Sequence, residues 1–359
     1  MKKSLFQSTG RFYKANLHTH TNVSDGRLSP EESKKAYQAL GYEVVAFTDH
    51  EVMVPHPELK EENFLPLTAL ECEYREEFRP FYDPETGEEI TPPMFISRRK
   101  VYHLIYLAPK ENETYYPWPT KSYVKGNARA FIQDYYVGEK SRSFMSENVN
   151  AAIKDAKDHG FLVEYCHPFW SQNRFPDYAC LENIDFVETF NSACMALGYA
   201  LDNSERPYDD LLSLGKHVCP TCSDDSHYLE HIGHAATYIK ADSLTYEDVF
   251  NALKERRVYS SMGPQFKDIT FDPETGELDV ETETPVRMVF LTSSVRVAQK
   301  RGELTTGTIT NASFNIKELV DNIARFSVPE RHFIRVTLLD ENGKKAYSRG
   351  YFLDELMAL

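Results

Sequence analysis

Two histidines separated by one residue, His18 and His20, are the first feature of this sequence that can do chemistry. In a β-strand, residues two apart point to the same side, so both imidazoles can face one metal ion. Imidazole nitrogen is a common ligand of zinc and of other transition metals. The same spacing also occurs in ordinary strands, so a metal site needs further ligands from elsewhere in the chain.

Further residues that can bind metal follow short apolar runs predicted as strands. Asp25 lies in the turn Ser24-Asp25-Gly26, and Glu71 and His103 lie at the end and at the start of apolar runs. The others each follow a predicted strand: His50, His167, Asp225 and His227. The active sites of α/β barrels lie at the carboxyl ends of the strands, so we expect these side chains to meet there.

The set comprises six histidines and three carboxylates, which is too many for one tetrahedral zinc ion. We therefore expect two or three divalent ions joined by a bridging carboxylate, with zinc, manganese or iron all compatible with these ligands. Paired ions lower the pKa of a bound water from ~16 toward ~7, so hydrolysis is the expected reaction. Asp224 or His227 is a candidate to protonate the leaving group, and Asp49 is expected to orient neighbouring groups.

Alternating helix and strand signals predict the elements that position these residues. Ser29-Pro30-Glu31-Glu32 is typical of a capped helix start, and Gly41 is expected to end that helix after Leu40. The run 43–48 then predicts a buried strand, and a second such unit is predicted over 148–166. The pattern favours an α/β fold, either a barrel or an open sheet.

Two stretches interrupt this alternation and are candidate lids, at about 74–100 and 110–145. The first contains arginines whose planar guanidinium groups suit a phosphate. A solvated turn is an equally good interpretation of this basic run. The candidate substrate-binding residues are Arg75, Arg79, Arg98 and Arg99.

Beyond Gly263-Pro264 the sequence changes to short alternating runs separated by turn signals. We interpret residues 264–359 as a smaller all-β, sandwich-like domain and residues 1–263 as the main domain. A Cys-x-x-Cys pair at Cys219 and Cys222 has redox spacing, but it lies within a predicted strand and no second pair accompanies it, so we favour buried structural thiols.

Composition excludes several classes of protein. The 359 residues carry a formal net charge of −15, which disfavours binding to duplex nucleic acid. The sequence has no apolar run of membrane-spanning length, so no membrane partner is expected. Six cysteines are too few for a disulfide scaffold, and the first residues lack an apolar signal segment. A cytoplasmic location is therefore expected.

Four phrases resemble the PHP (polymerase and histidinol phosphatase) metallohydrolases: NLHTHTNVSDGRLSP, VVAFTDHE, EYCHPF and CSDDSH, with Glu71 and His103 at two further family positions. The resemblance implies a distorted (β/α)7, TIM-like barrel that holds three divalent ions. It also implies that Glu71 is the bridge. The family's usual Ser-Asp-Ala-His reads here Ser223-Asp224-Asp225-Ser226-His227, and we align Asp225 with the ligand. The nine ligand positions implied are His18, His20, Asp25, His50, Glu71, His103, His167, Asp225 and His227.

The sequence thus predicts a metal-dependent phosphoesterase that acts on a small phosphorylated molecule or nucleotide. One alternative is hydrolysis of carboxylic or carbamate esters at the same site. Another is a non-catalytic module that binds a metal or ligand, although such a module would be expected to lack some of the ligands.

Overall fold

The computed structural model describes residues 1–7, 9–76, 81–90, 100–134, 136, 138–196, 204–294, 296–305, 307–326 and 331–359. Within these ranges no helix combines the length and the apolar character needed to cross a membrane.

The secondary structure of the described residues mixes α and β elements. The strands are β1 (Lys3–Ser4), β2 (Arg11–Asn16), β3 (Val44–Phe47), β4 (Leu65–Arg75), β5 (Phe81–Tyr82), β6 (Glu89–Ile90), β7 (Val101–Leu107), β8 (Leu162–Tyr165), β9 (Phe186–Asn191), β10 (Cys219–Ser223), β11 (Ala236–Ala241), β12 (Val258–Ser261), β13 (Phe266–Asp272), β14 (Glu277–Val286), β15 (Met288–Ser293), β16 (Arg296–Gly302), β17 (Ile309–Asn315), β18 (Phe333–Leu339), β19 (Lys345–Ser348) and β20 (Tyr351–Phe352). The α-helices are α1 (Pro30–Ala39), α2 (Ser146–Asp158), α3 (Phe175–Ala179), α4 (Ser192–Ala196), α5 (Glu205–Ser213), α6 (Tyr246–Lys254), α7 (Lys317–Phe326) and α8 (Leu353–Met357).

One large sheet carries the candidate site. Its strands β2, β3, β4, β7, β8, β9 and β10 are neighbours in chain order. Pairing is parallel from β2 to β4 and from β8 to β10, and antiparallel where β7 joins β4 and β8. A parallel bridge between Thr19 and Ser226 also brings the chain after β2 beside the chain after β10. The strand ends that carry the candidate ligands therefore converge.

The first predicted helix shows how local sequence sets these elements. Ser29 and Glu32 form the reciprocal capping box at the start of α1, and Pro30 occupies its first turn. Gly41 follows the helix with a φ of +77°, which a residue without Cβ adopts at little cost. Every residue of β3 is buried, as expected for a parallel strand covered on both faces. The prediction for this helix and strand is confirmed.

The first predicted insertion connects two long antiparallel strands of the large sheet. Strands β4 and β7 pair from Ala69 and Leu107 to Arg75 and Val101, and the small hairpin of β5 and β6 lies between them. The second predicted insertion contains short 3-10 turns at Lys121–Tyr123 and Gly126–Phe131.

The strands after residue 264 divide between two sheets. Strands β13, β14 and β17 form an antiparallel sheet with β1, whereas β15, β16, β18 and β19 extend the large sheet through the β12–β19 pairing. The region also contains α7 and α8, so it is antiparallel β structure with two short helices added rather than purely β. The domain boundary at 263 stays a prediction.

A buried arginine ties this C-terminal region to α5. The side chain of Arg335 in β18 is 2% exposed and donates to Asp209 from Nε (2.6 Å) and to Glu205 from Nη2 (2.9 Å). Lys345 reaches the same Glu205 at 2.7 Å, but its side chain is 32% exposed. The two cations therefore differ mainly in their access to water.

Replacing Arg335 should destabilise the protein strongly. Arg335→Met leaves the partly buried Asp209 and Glu205 without their guanidinium partner, and we expect the free energy of unfolding to fall by about 3–5 kcal/mol. Lys345→Met, the matched surface change, should cost at most about 1 kcal/mol. Urea unfolding followed by circular dichroism measures both, and equal losses in the two variants would contradict this interpretation.

Candidate metal centre

The nine predicted ligands lie together at the strand ends. His18 and His20 follow β2, His50 follows β3, and His167 follows β8. Glu71 and His103 lie within the paired strands β4 and β7. Seven of the nine line one cavity of about 510 Å³, and His18 and His20 are buried behind its wall. The seven are Asp25, His50, Glu71, His103, His167, Asp225 and His227.

Three overlapping groups of these residues have ligand atoms within 4.8 Å of one another. The groups overlap at His18 and His20, so the candidate ion positions are adjacent. They are His20, Asp25, His50 and His227; His18, His20 and Asp225; and His18, Glu71 and His167.

Glu71 lies at the middle of the cluster. Its Oε1 is 2.8 Å from His103 Nδ1 and 3.3 Å from the Nε2 atoms of both His18 and His167. Its Oε2 faces two other histidines, 3.0 Å from His50 Nδ1 and 3.3 Å from His20 Nε2. Because the two oxygens face different histidines, this carboxylate has the arrangement expected of a bridge between ions.

The donor set fits divalent cations. Three buried ligand atoms, His20 Nδ1, Glu71 Oε2 and Asp225 Oδ1, make no well-aligned hydrogen bond among the described residues, although an imidazole nitrogen lies 3.0 Å from each of the two oxygens. A buried polar atom without a partner is costly, and a cation at these positions would remove that cost. The groups could therefore hold several ions.

Electrostatics in the cluster favour ionised carboxylates. Burial alone would raise the pKa of Glu71, but His103, His18 and His50 outweigh it and hold that pKa well below its usual range. The pKa of Asp225 is also lowered, by His18 and His20 against the effect of burial. Conversely, burial disfavours a charged His103, yet Glu71 and Glu73 raise the pKa of this imidazole to about 10. Concentrated negative charge of this kind attracts divalent cations.

Backbone strain marks the same strand ends. Asp225, His167 and Glu51 have positive φ values of 48°, 29° and 59°, a region that residues with a Cβ rarely occupy. Such strain is retained where the surrounding structure requires a side chain in one position.

Carboxylates outside the ligand set orient it. Glu188 Oε1 lies 3.2 Å from His18 Nδ1, and its Oε2 accepts from the backbone N–H of His167 at 2.9 Å. Asp49 accepts from the backbone N–H groups of Thr21 (2.8 Å) and Ser24 (3.1 Å), which fixes the loop after His20. The orienting role of Asp49 stays a prediction.

Asp224 binds the backbone of a loop beyond β10. Its carboxylate accepts from the backbone N–H groups of Gly233 (2.6 Å), His234 (3.1 Å) and Ala235 (3.1 Å). Burial raises the pKa of Asp224 to about 6 in spite of these bonds. Neither Asp49 nor Asp224 is among the described residues that line the cavity, whereas His227 is. Their catalytic assignment stays a prediction.

Of the four arginines predicted to bind substrate, Arg75 lines the cavity. Arg79, Arg98 and Arg99 lie outside the described residues.

Sequence reasoning missed several residues of this cavity. Glu73 and Glu51 line it, and Trp170 packs against His103 at a tilt (ring centroids 5.5 Å apart) and edge-on against His167 (4.9 Å). Glu73 carried a usable signal, because it lies two residues from Glu71 in the same strand and so on the same face. Trp170 gave no such signal, since it lies in an irregular segment after β8.

Two histidines of one loop should differ in their effect on metal content. His227 belongs to one of the three groups, with its Nε2 3.5 Å from Asp25 Oδ1, whereas His231 belongs to none. We expect His227→Ala to lose about one equivalent of bound metal and His231→Ala to lose none. Inductively coupled plasma mass spectrometry of the dialysed proteins measures this, and equal metal content in both variants would show that His227 is no ligand.

The carboxylate behind His18 should tune metal affinity. Glu188→Gln removes the charge facing His18 Nδ1, and loss of such an outer contact typically lowers metal affinity about 10–100-fold.

Glu164 provides the matched control for this substitution. Burial and the neighbouring Glu188 raise the pKa of Glu164, and its carboxyl group accepts a hydrogen bond from Thr221 Oγ1, so Glu164→Gln should change affinity less than about threefold. Competition titrations with a chromophoric chelator give both values, and the account fails if Glu164→Gln has the larger effect.

Comparison with known proteins agrees with the family resemblance of the sequence motifs. Residues 16–167 match the family model of the PHP domain. This segment contains seven of the nine ligand positions, all except Asp225 and His227. The predicted resemblance is confirmed over these residues. The sequence matches none of the curated proteins.

Among solved structures the chain is similar to a two-domain protein from Bacteroides vulgatus that contains a predicted PHP-like metal-dependent phosphoesterase. The two are 13% identical, with 95% of this chain and 96% of that chain covered and a TM-score of 0.41. It is also similar to an amidohydrolase from Chromobacterium violaceum with bound sulfate (12% identity, 68% and 96% covered, TM-score 0.37). A third structure is a putative metal-dependent phosphoesterase from Bifidobacterium adolescentis (15% identity, 59% and 87% covered, TM-score 0.35).

Proposed function

We propose that this chain, in which residues 16–167 match the PHP domain, is a metal-dependent phosphoesterase that hydrolyses a small phosphorylated molecule or nucleotide. The observation that carries the proposal is the set of three overlapping ligand groups at one cavity, one of which contains Glu71. A volume of about 510 Å³ suits a small-molecule substrate.

The chain would hold two or three ions of zinc, manganese or iron through the three groups. When bound, the ions would lower the pKa of water and offset negative charge on the phosphoryl oxygens. The protein's own residues hold the ligands in place. Glu188 orients His18, and Ser171 Oγ, 3.1 Å from His167 Nδ1, orients His167.

His227 is 24% exposed and lines the cavity, but its Nε2 faces Asp25 and its Nδ1 lies 2.9 Å from the Asp225 carbonyl. As a metal ligand it therefore has no free nitrogen with which to protonate a leaving oxygen, and its role is to hold an ion. Asp224 would have a positioning role, because its carboxylate fixes the loop that follows His227.

We also propose that β2, β3, β4, β7, β8, β9 and β10 form the distorted seven-stranded barrel that the resemblance implies. The bridge from Thr19 to Ser226 would close the ring, supported by the hydrogen bond from Asp225 N to the His18 carbonyl at 3.0 Å. Residues 1–263 would then form the barrel domain and residues 264–359 the second domain.

Hydrolysis should depend on bound metal and on the bridging carboxylate. We expect the metal-loaded protein to hydrolyse aryl phosphates, a chelator to abolish turnover, and Glu71→Gln to lower kcat/KM at least about a hundredfold. Release of p-nitrophenol measures the rate, with the surface variant Lys154→Gln as control.

The same experiment separates the alternatives. Turnover of p-nitrophenyl acetate but not of the phosphate would favour the carboxylic or carbamate ester hydrolase. Turnover of neither class, together with tight ligand binding, would favour a non-catalytic module.

A further inference from the structure

One wall of the cavity is built by the outer end of β4 and by the second insertion. Glu73 and Arg75 come from the outer end of β4, and Tyr123 and Lys125 come from the second insertion. These residues line the same cavity as Glu71 and His103. They therefore face whatever part of a substrate extends away from the ligand cluster.

This wall has an excess of positive charge. Both Arg75 Nε and Arg75 Nη2 pair with the carboxylate of Glu73, and Arg142 Nη2 donates to Glu51 at 2.6 Å. Each carboxylate of the wall thus has its own arginine. Lys125 has no ion pair with a carboxylate in the described part of the chain, and its Nζ lies 5.8 Å from the ring centroid of Tyr123.

Buried contacts hold the second insertion in place. Arg142 has a fully buried side chain, donates to Thr120 Oγ1 at 3.0 Å, and lies over the rings of Tyr74 (4.9 Å) and Tyr123 (5.7 Å). Its partner Glu51 directly follows the candidate ligand His50. The wall is therefore preorganised relative to the cluster, which limits the entropy lost when a ligand binds.

Strand geometry sets the distance from the wall to the cluster. Every second residue of a strand lies on the same face, so β4 places Glu71, Glu73 and Arg75 on one face. The Cα atoms of residues two apart in a strand are separated by roughly 7 Å. The Arg75 guanidinium folds back onto Glu73, so its charge lies roughly 7–13 Å from Glu71. The Arg75 side chain is 48% exposed, which leaves it accessible to a ligand.

We propose that Arg75 and Lys125 form a subsite for a second anionic group, a carboxylate or a phosphate, on the substrate. The substrate is then a phosphate ester in which about one ring separates the scissile phosphate from this second acid group. This inference rests on the proposed function for the position of the scissile phosphate. Guanidinium and ammonium groups at a cavity wall are suited to such an anion.

Binding of phosphonates, which cannot be hydrolysed as phosphate esters, tests the subsite without relying on activity. The probes are phenylphosphonate, 4-carboxyphenylphosphonate and 1,4-phenylenediphosphonate, titrated calorimetrically into the metal-loaded protein. We expect a second acid group to tighten binding about tenfold. The stronger of the two substituted probes identifies which anion the subsite takes.

Substitutions of single lysines test whether Lys125 causes the preference for the substituted probes. Lys125→Met should remove most of the preference for the substituted probes and leave the affinity for phenylphosphonate unchanged, whereas Lys125→Arg should retain the preference. Lys121→Met is the matched control, because Lys121 is an exposed lysine of the same insertion that does not line the cavity.

Hydrolysis of the corresponding aryl phosphates separates this inference from the proposed function. Equal affinity for all three phosphonates, or an equal loss for all three in Lys125→Met, overturns the subsite even if the phosphates are hydrolysed. A preference that depends on Lys125, without any hydrolysis, supports the subsite and overturns the phosphoesterase. Failure to bind any of the phosphonates, together with no hydrolysis of the phosphates, overturns both.

Discussion

The shared carboxylate of Glu71 is the interaction on which the rest of this site depends. One oxygen faces His18, His103 and His167, and the other faces His20 and His50. These five histidines lie on or after four different strands, so the carboxylate links the convergent strands as well as the candidate ion positions. A buried carboxylate whose two oxygens face different candidate ligands can bind an ion on each side, as bridging carboxylates do in multinuclear centres.

Burying so many titratable groups together carries a desolvation penalty, and contacts of the surrounding structure offset it. Glu188 and Asp49 each fix ligands or their loops through several hydrogen bonds. Strained backbone at Asp225 and His167 directs those side chains inward. Farther out, the buried pair of Glu51 and Arg142 joins an insertion to the residue after His50, so the centre and the cavity wall form one connected framework.

Much of the site could be predicted from sequence because its ligands follow short apolar runs, and such runs indicate strands whose carboxyl ends share one edge. The capped helix α1 could be predicted equally well, from Ser29, Pro30 and Gly41. The contacts of Arg142 with Glu51 and of Arg335 with Asp209 could not be predicted. Each joins residues about a hundred positions apart, and neither residue lies in a local pattern that indicates its partner. The division of the C-terminal strands between two sheets was missed for the same reason, since alternation predicts a strand but not its neighbour.

The most direct measurement is anomalous X-ray diffraction from crystals of the protein purified with its metals, recorded at the absorption edges of zinc, iron and manganese. The account predicts two or three anomalous peaks in the cavity, with the Glu71 carboxylate bound to ions on both of its sides. A single ion that does not touch Glu71, or ions bound only outside the cavity, would contradict it.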